Sequence, residues 1–451
     1  MTKQKQIHDV IGVGIGPANL GLAALLHPVE EIDALFFDET PAFQWHPGML
    51  LEGSDLQVPF LADLVTFADP TSPFTFLNYI HKQGRMHAFF FFNRFDIPRR
   101  EYNDYAKWTA DQLPECRFGK KVVGAEDKET YYEVVIEDRE TKVEERYYAR
   151  HLVVGTGTKP NVPEHLQGFP AEDVLHTSQY LFHEDSVLEA DDVLIAGSGQ
   201  SAAEVFLEQL QKQKNGRPKL HWYTRSPGFF QLEAGKLGQE VFSPDYVDYY
   251  HALPLEKRLA ELPNLTSLRN GVEQSTLHQI YDLLYHRTVG TGEECAVIQP
   301  NTEVEAIERK GGRYVVTCRQ KQEETVFTRE VDNVILGTGY KPDIPGWYQK
   351  ILDDAVYEDE DKQYPAVERG FALQFKDERR HAVYPLTDLV HSHGAGATNL
   401  ALSVHRNTVI INQIAGRTVY EDQRDTIFQQ FSAAGRGSVL QKGPGSYNDE
   451  A

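Results

Sequence analysis

HDVIGVGIGPANLGLAAL fills residues 8–25, and its reading decides the fold. The apolar run 10–13 has the length of a buried strand, and the glycine-broken turn after it leads into an apolar helix that starts at Pro17. Gly14 and Gly16 let the backbone approach a pyrophosphate, which the amides of the helix N-terminus would then hold. Asn19 stands where the usual fingerprint has its third glycine. A second apolar strand, 34–37, ends in Asp38, 24 residues after Gly14, a distance suited to an acid that grips a ribose hydroxyl. Each feature alone reads as a tight turn or a surface aspartate. Strand, turn, helix, strand and acid in that order point to a dinucleotide site.

The same order returns in DDVLIAGSGQSAAEVFLEQL, residues 191–210, with Gly197, Gly199, Gln200 and Ser201 in the turn. The next strand, KLHWYTR, ends in Arg225 rather than an acid. A guanidinium there suits a 2′-phosphate and favours NADP(H) over NAD, an exposed strand-end arginine being the competing reading. HLVVGTGTKPNVP (151–163) and NVILGTGYKPDIP (333–345) are near copies that flank this second fingerprint. Such returns carry the chain between the two nucleotide domains of flavoproteins, which places Thr338, Gly339 and Tyr340 among the candidate cofactor contacts. The expected architecture is α/β, with two doubly wound Rossmann-like dinucleotide-binding domains and a small helical substrate-binding segment. Residues 1–185 and 336–435 would form an FAD domain, with an NADP(H) domain at 186–335 inserted in it. The helical segment, at about 230–292, repeats apolar residues at helical spacing, as in Ile280, Leu283 and Leu284, and 436–451 reads as a flexible tail.

Bulk properties exclude several classes. A formal charge of −22 over 451 residues disfavours a nucleic-acid partner. No stretch of about 18 apolar residues predicts a membrane span, and the polar start does not read as a signal peptide. Cys116, Cys295 and Cys318 lack metal or Cys-x-x-Cys spacing, which fits a reducing cytoplasm and argues against a disulfide reductase. No metal cluster or nucleophilic triad is evident.

FQWHPGMLLEGSDLQVPFLADLV (43–65), RREYNDYAKW (99–108), LGTGYKP (336–342) and HSHGAGATNLALSVHR (391–406), together with the two glycine turns, resemble the microbial N-hydroxylating monooxygenases of siderophore biosynthesis over about residues 7–416. These are the lysine, ornithine and diamine N-hydroxylases. The resemblance implies that NADPH reduces FAD, that oxygen forms a C4a-hydroperoxyflavin, and that a neutral primary amine attacks its distal oxygen. It places Trp45, His46, Met49 and Gln57 near the isoalloxazine or its ribityl chain, and Arg99 near nicotinamide and flavin, with Gln57 and Arg99 as the candidate catalytic pair. Gly394 and the 397–403 stretch, including Asn399 and Leu400, would close over the ring, and His393 is either catalytic or a satisfied core histidine. A homotetramer or homodimer is also implied.

Substrate class is read from departures. Amino-acid hydroxylases of this family carry a lysine, paired with the substrate carboxylate, where this chain has Ala62. Ornithine hydroxylases have an asparagine where Gln239 stands, and their second substrate asparagine is matched only approximately by Asn270. A carboxylate brought into such a site without a cation loses its compensation. The expected substrate is therefore a diamine without that head, cadaverine or putrescine, whose distal ammonium would seek a carboxylate such as Glu240 or Asp245. Lysine or ornithine remains the alternative, should another cation replace the missing one. A non-catalytic flavin- and NADP-binding protein is the reading from a different class.

Overall fold

Strands covered on both faces must be apolar throughout, and the runs before the glycine turns are. The computed structural model describes residues 5–290 and 296–433, so Cys295 and the expected tail at 436–451 lie outside the described residues. His8–Val13 forms the middle of a parallel sheet, with Ala34–Phe37 on one side and the end of Glu144–Val154 on the other. Cys116–Arg117 extends the sheet beyond Ala34–Phe37, and Val383–Pro385, far along the chain, adds to it beside Glu144–Val154. The start of Glu144–Val154 also closes an antiparallel meander with Tyr132–Asp138 and Lys120–Asp127. Helix Pro17–Leu26 is apolar on all sides, and it is buried because helix Leu400–Ala415 covers it from outside. Asn407 Nδ2 donates to Ala18 O across that contact at 2.9 Å.

The second sheet is wholly parallel, in the order Ala296–Gln299, Lys219–Tyr223, Asp192–Ala196, Asn333–Leu336 and Val174–His176. Val193 and Ile195 enter the core on one face, Leu194 and Ala196 that on the other. Its edge strand Val174–His176 comes from the stretch that the sequence reading gives to the first unit. Between the units, Thr158–Pro160 and Tyr340–Pro342, the two Lys-Pro returns, pair as an antiparallel ribbon. A second meander, Thr302–Lys310, Arg313–Gln320 and Thr325–Val331, flanks this sheet.

The helical segment divides its loyalty. Pro244–His251 begins with Pro244 behind Ser243, whose Oγ accepts the Tyr246 N–H at 3.2 Å. Tyr246, Tyr250, Leu265 and Leu268 then build a small core with Ala395 of the first unit. Arg258, 4% exposed, donates to the His391 carbonyl at 3.0 Å and pairs with Glu358. Helix Gln274–Thr288 instead lays Ile280, Leu283 and Leu284 against helix Gln200–Lys212 of the second unit. No helix among the described residues is long and apolar enough to cross a membrane.

Candidate active site

Both glycine turns are built by one device. Gly14 has φ +81°, and a Cβ there would lie 2.4 Å from Gly155 O; Gly197 has φ +137°, and a Cβ there would lie 2.4 Å from Gly337 O. The Gly-Thr-Gly returns thus supply room that side chains would fill. Gly16 and Gly199 sit at the N-caps of their helices, where no side chain caps the exposed amides and nothing lies within 4 Å of a Cβ position. Pro17 opens the first helix and Ser201 lies in the first turn of the second. Two such open helix starts fit two pyrophosphates.

Asn19 explains the missing third glycine. Its buried Nδ2 donates to Val13 O at 3.1 Å and Gly14 O at 2.7 Å, bracing the turn from within. A Cβ on Gly155 would stand 2.8 Å from that nitrogen, so the space usually left on the helix is left on the neighbouring strand. Asp38 also works inside its own turn: Oδ2 accepts the Ile15 N–H at 2.7 Å, and Oδ1 accepts the Thr40 N–H and Oγ–H at 2.8 and 2.6 Å. Arg225 stands exposed beyond its strand, next to Ser226, whose Oγ meets Ser198 Oγ of the glycine turn at 3.2 Å.

The aromatic loop passes between the units. Trp45 packs on His46 (4.8 Å between ring centroids) and Tyr102 (5.0 Å), and His46 faces Tyr340 at 6.3 Å. Solvent still reaches the His46 ring, but protein crowded around it, aided by the Arg99 guanidinium, holds its pKa below the ordinary value. The ring is therefore neutral at pH 7. Gly339, with φ +80°, gives its carbonyl to His176 Nε2 at 3.1 Å, and the Thr338 hydroxyl is buried without a partner.

Arg99 is occupied by protein. It donates to Met49 O at 2.9 Å and makes a two-pronged pair with Glu204 of the second unit at 2.7 and 2.9 Å. Glu204 also accepts from Gln200 Nε2 at 3.0 Å, and Gln200 reaches on to Thr276 Oγ and the Glu273 N–H at 3.1 and 2.8 Å. One chain of polar contacts therefore joins the aromatic loop, the second glycine turn and the helical segment. Glu204 follows Gln200 by one helical turn, which puts both on one helix face but does not announce an interface, and Glu273 carried no signal at all. Beside this network lies a cavity of about 440 Å³ lined by Glu52, Asp55, Glu204, Glu208 and Glu273 against the single cation Arg94. Burial, reinforced by Glu204 and Asp55, pushes the Glu273 carboxyl up to about 7. Such a cavity favours cationic visitors.

The residues expected to meet substrate are not drawn into one cluster. Ala62 is 3% exposed, and the adjacent Asp63 spends its carboxylate on the Val65, Thr66 and Phe76 amides. Gln57 is exposed two residues beyond Asp55. Gln239 and Asn270 are both exposed in the helical segment, where a Cβ on Gly238 would lie 3.7 Å from Leu268 Cδ2. Glu240 and Asp245 point elsewhere: Glu240 accepts the Phe428 and Gln429 amides at 3.0 and 2.9 Å, and Asp245 that of Asp425 at 3.0 Å. Gly394, with φ +82°, backs onto Tyr250, and Asn399 caps the helix that begins at Leu400 by accepting the Ala401 N–H at 2.9 Å. His393 is a core histidine, bonded at both ring nitrogens by Ser392 Oγ (2.9 Å) and Arg369 O (3.3 Å) and stacked on Phe371.

Comparison with known proteins agrees with this geometry. The profile of the L-lysine 6-monooxygenase/L-ornithine 5-monooxygenase family matches residues 6–342. The chain is 35% identical to the putrescine N-hydroxylase of Shewanella oneidensis, over 95% of this chain and 85% of that one. Its fold matches the FAD-bound cadaverine monooxygenase of the desferrioxamine pathway of Erwinia amylovora, with TM-score 0.88 and 34% identity over 96% of this chain and all of that one. An ornithine N-hydroxylase from Kutzneria, solved with reduced FAD, NADP+ and L-ornithine, matches with TM-score 0.85 and 27% identity over 91% of this chain and 99% of that one. Two uncapped glycine turns joined through one aromatic loop, and relatives aligned along nearly the whole chain, lead to one assignment: the protein belongs to the L-lysine 6-monooxygenase/L-ornithine 5-monooxygenase family of flavin-dependent N-hydroxylating monooxygenases.

Proposed function

We propose that the protein N-hydroxylates a primary aliphatic diamine, cadaverine or putrescine, with NADPH and O2, to supply a hydroxamate siderophore. Bound FAD, reduced by NADPH, supplies the oxygen activation that converts the amine nitrogen into a hydroxylamine. The turn around Gly14, Gly16, Asn19 and Asp38 holds the flavin dinucleotide, and the turn around Gly197 and Gly199 holds NADPH, with Arg225 on its 2′-phosphate. The FAD unit is thus discontinuous, with the NADP(H) unit inserted. Trp45, His46, Met49 and Tyr340 wall the junction, and neutral His46 adds no second positive charge beside Arg99. The cytoplasm suits an enzyme with free thiols at Cys116 and Cys318.

One observation carries the substrate class. Ala62 and the residues that follow it, 63–65, are buried and carry no cation, and their one acid, Asp63, is spent on the Val65, Thr66 and Phe76 amides. An α-carboxylate placed there would be desolvated without a partner, whereas a diamine brings none. The related putrescine and cadaverine enzymes support the same reading.

The test is hydroxylamine formation from cadaverine, putrescine, lysine and ornithine under identical conditions. Diamines should exceed both amino acids in kcat/KM by about 100-fold or more, the scale on which an unpaired buried charge discriminates. Equal or better turnover of lysine would sink the proposal.

A further inference from the structure

Arg406, on helix Leu400–Ala415, is 3% exposed. A charge so deeply sunken needs a partner, because water no longer solvates it. Three other arginines, with side chains 5%, 10% and 12% exposed, each have one: Arg258 pairs with Glu358, Arg379 with Asp127 and Asp377, and Arg99 with Glu204. Arg406 forms no ion pair with a carboxylate among the described residues. Its Nη1 donates only to neutral carbonyls, Leu386 O at 3.3 Å and Ala397 O at 3.0 Å, and its Nε is buried without a partner. Burial pushes its pKa down to about 10, so the guanidinium stays charged at neutral pH.

The position of this unmatched charge narrows its partner. Val13, Val154 and Pro385 end three neighbouring parallel strands, and open α/β sheets bind ligands beyond such carboxyl ends. Leu386 follows Pro385, and its Cδ1 lies 3.3 Å from where a Cβ on Gly155 would stand, beside the Gly14 turn. Ala397 opens the stretch expected to close over the flavin ring. Nearby His393 is held neutral by burial, so it supplies neither a counter-charge nor a second cation.

The amine substrate brings positive charge, and the flavin pyrophosphate has the open amides after Gly16. The ring itself gains negative charge, a step that rests on the FAD and NADPH chemistry proposed above. A hydride from NADPH carries two electrons and one proton to the neutral oxidised ring, which is then left with one negative charge unless N1 takes up a second proton. We propose that the Arg406 guanidinium is the counter-charge for that reduced, anionic flavin, so that the protein holds reduced flavin more tightly than oxidised and raises its reduction potential.

The test is potentiometric and uses no amine, so it stands apart from the substrate assignment. FAD-loaded wild type, Arg406→Gln and Arg406→Lys are reduced with dithionite beside a dye of known potential. Arg406→Gln should weaken reduced relative to oxidised flavin by about 10-fold, a shift of about 30 mV to more negative potential for a two-electron couple. Arg406→Lys keeps the charge and should stay near the wild type. Two variants shifted alike, or neither shifted, overturn the proposal. Equal loss of affinity for oxidised and reduced FAD in Arg406→Gln also overturns it, and assigns the guanidinium to the pyrophosphate. Wild type alone gives a second check should Arg406→Gln fail to fold. Its reduced flavin should keep the anionic absorption spectrum at pH values where free reduced flavin is already neutral; a neutral spectrum there overturns the proposal. A wild type that takes up no FAD would remove the cofactor assignment, and this proposal with it.

Discussion

The two glycine turns share one backbone device but differ in where their polar residues look. In the first, Asn19 and Asp38 turn inward, bracing Val13, Gly14 and Ile15 within a single unit. In the second, Gln200 and Glu204 look outward, to Thr276, Glu273 and, across the junction, Arg99. A turn that braces itself keeps its shape wherever its domain sits. A turn braced by its neighbour reports how the two domains stand to one another.

Gly14→Ala and Gly197→Ala strike that contrast hardest. Each places a Cβ 2.4 Å from a carbonyl oxygen at positive φ, a strain that the packed surroundings cannot relax. Gly14→Ala should lose bound flavin, seen as absent visible absorbance in the purified protein. Gly197→Ala should keep its flavin and lose NADPH-driven reduction; loss of flavin in both variants would mean the turns are not independent.

Glu204→Ala comes next. It leaves the Arg99 guanidinium, 12% exposed, without its partner, and losing one member of a buried pair costs about 3–5 kcal/mol. The melting temperature should fall by several degrees and the NADPH KM should rise, while flavin titration is unchanged. Arg225→Ala should narrow the preference for NADPH over NADH by about 10- to 100-fold, the scale of a charge-assisted phosphate contact; an unchanged ratio would place the 2′-phosphate elsewhere.

The smallest effect belongs to Glu273. Burial raises its pKa from the ordinary glutamate range to about 7, so the folded state holds a proton that the unfolded chain releases between those values. Glu273 therefore costs stability as pH rises through this window, and nothing below it. Glu273→Gln should stabilise the protein by about 1–2 kcal/mol at pH 8 and leave it unchanged at pH 4. Equal melting shifts at both pH values would refute the assignment.

Local patterns made much of this legible. Glycine turns, strand-end Asp38 and Arg225, and the twin Lys-Pro returns each lie within a few residues and obey local stereochemistry. What escaped depends on distant partners. Space for Asn19 is left by Gly155, on another strand, and the anchor of Arg99 is Glu204, on another domain. Glu240 and Asp245 looked like free carboxylates until the chain at 425–429 folded back onto them. Val174–His176 is a strand of three residues, too short for any periodicity to announce it.

The paired returns have a mechanical meaning. Thr158–Pro160 and Tyr340–Pro342 leave and re-enter the first unit side by side, laced by Asn161 N–H to Gly339 O at 2.9 Å and by Lys159 to Asp343 at 2.7 Å. Two covalent tethers that run together act as one strap for the unit built on the second sheet. Its two ends also leave from neighbouring points, which makes the unit a cassette: a foreign domain with adjoining termini could be spliced in at this ribbon without stretching the sheet that receives it.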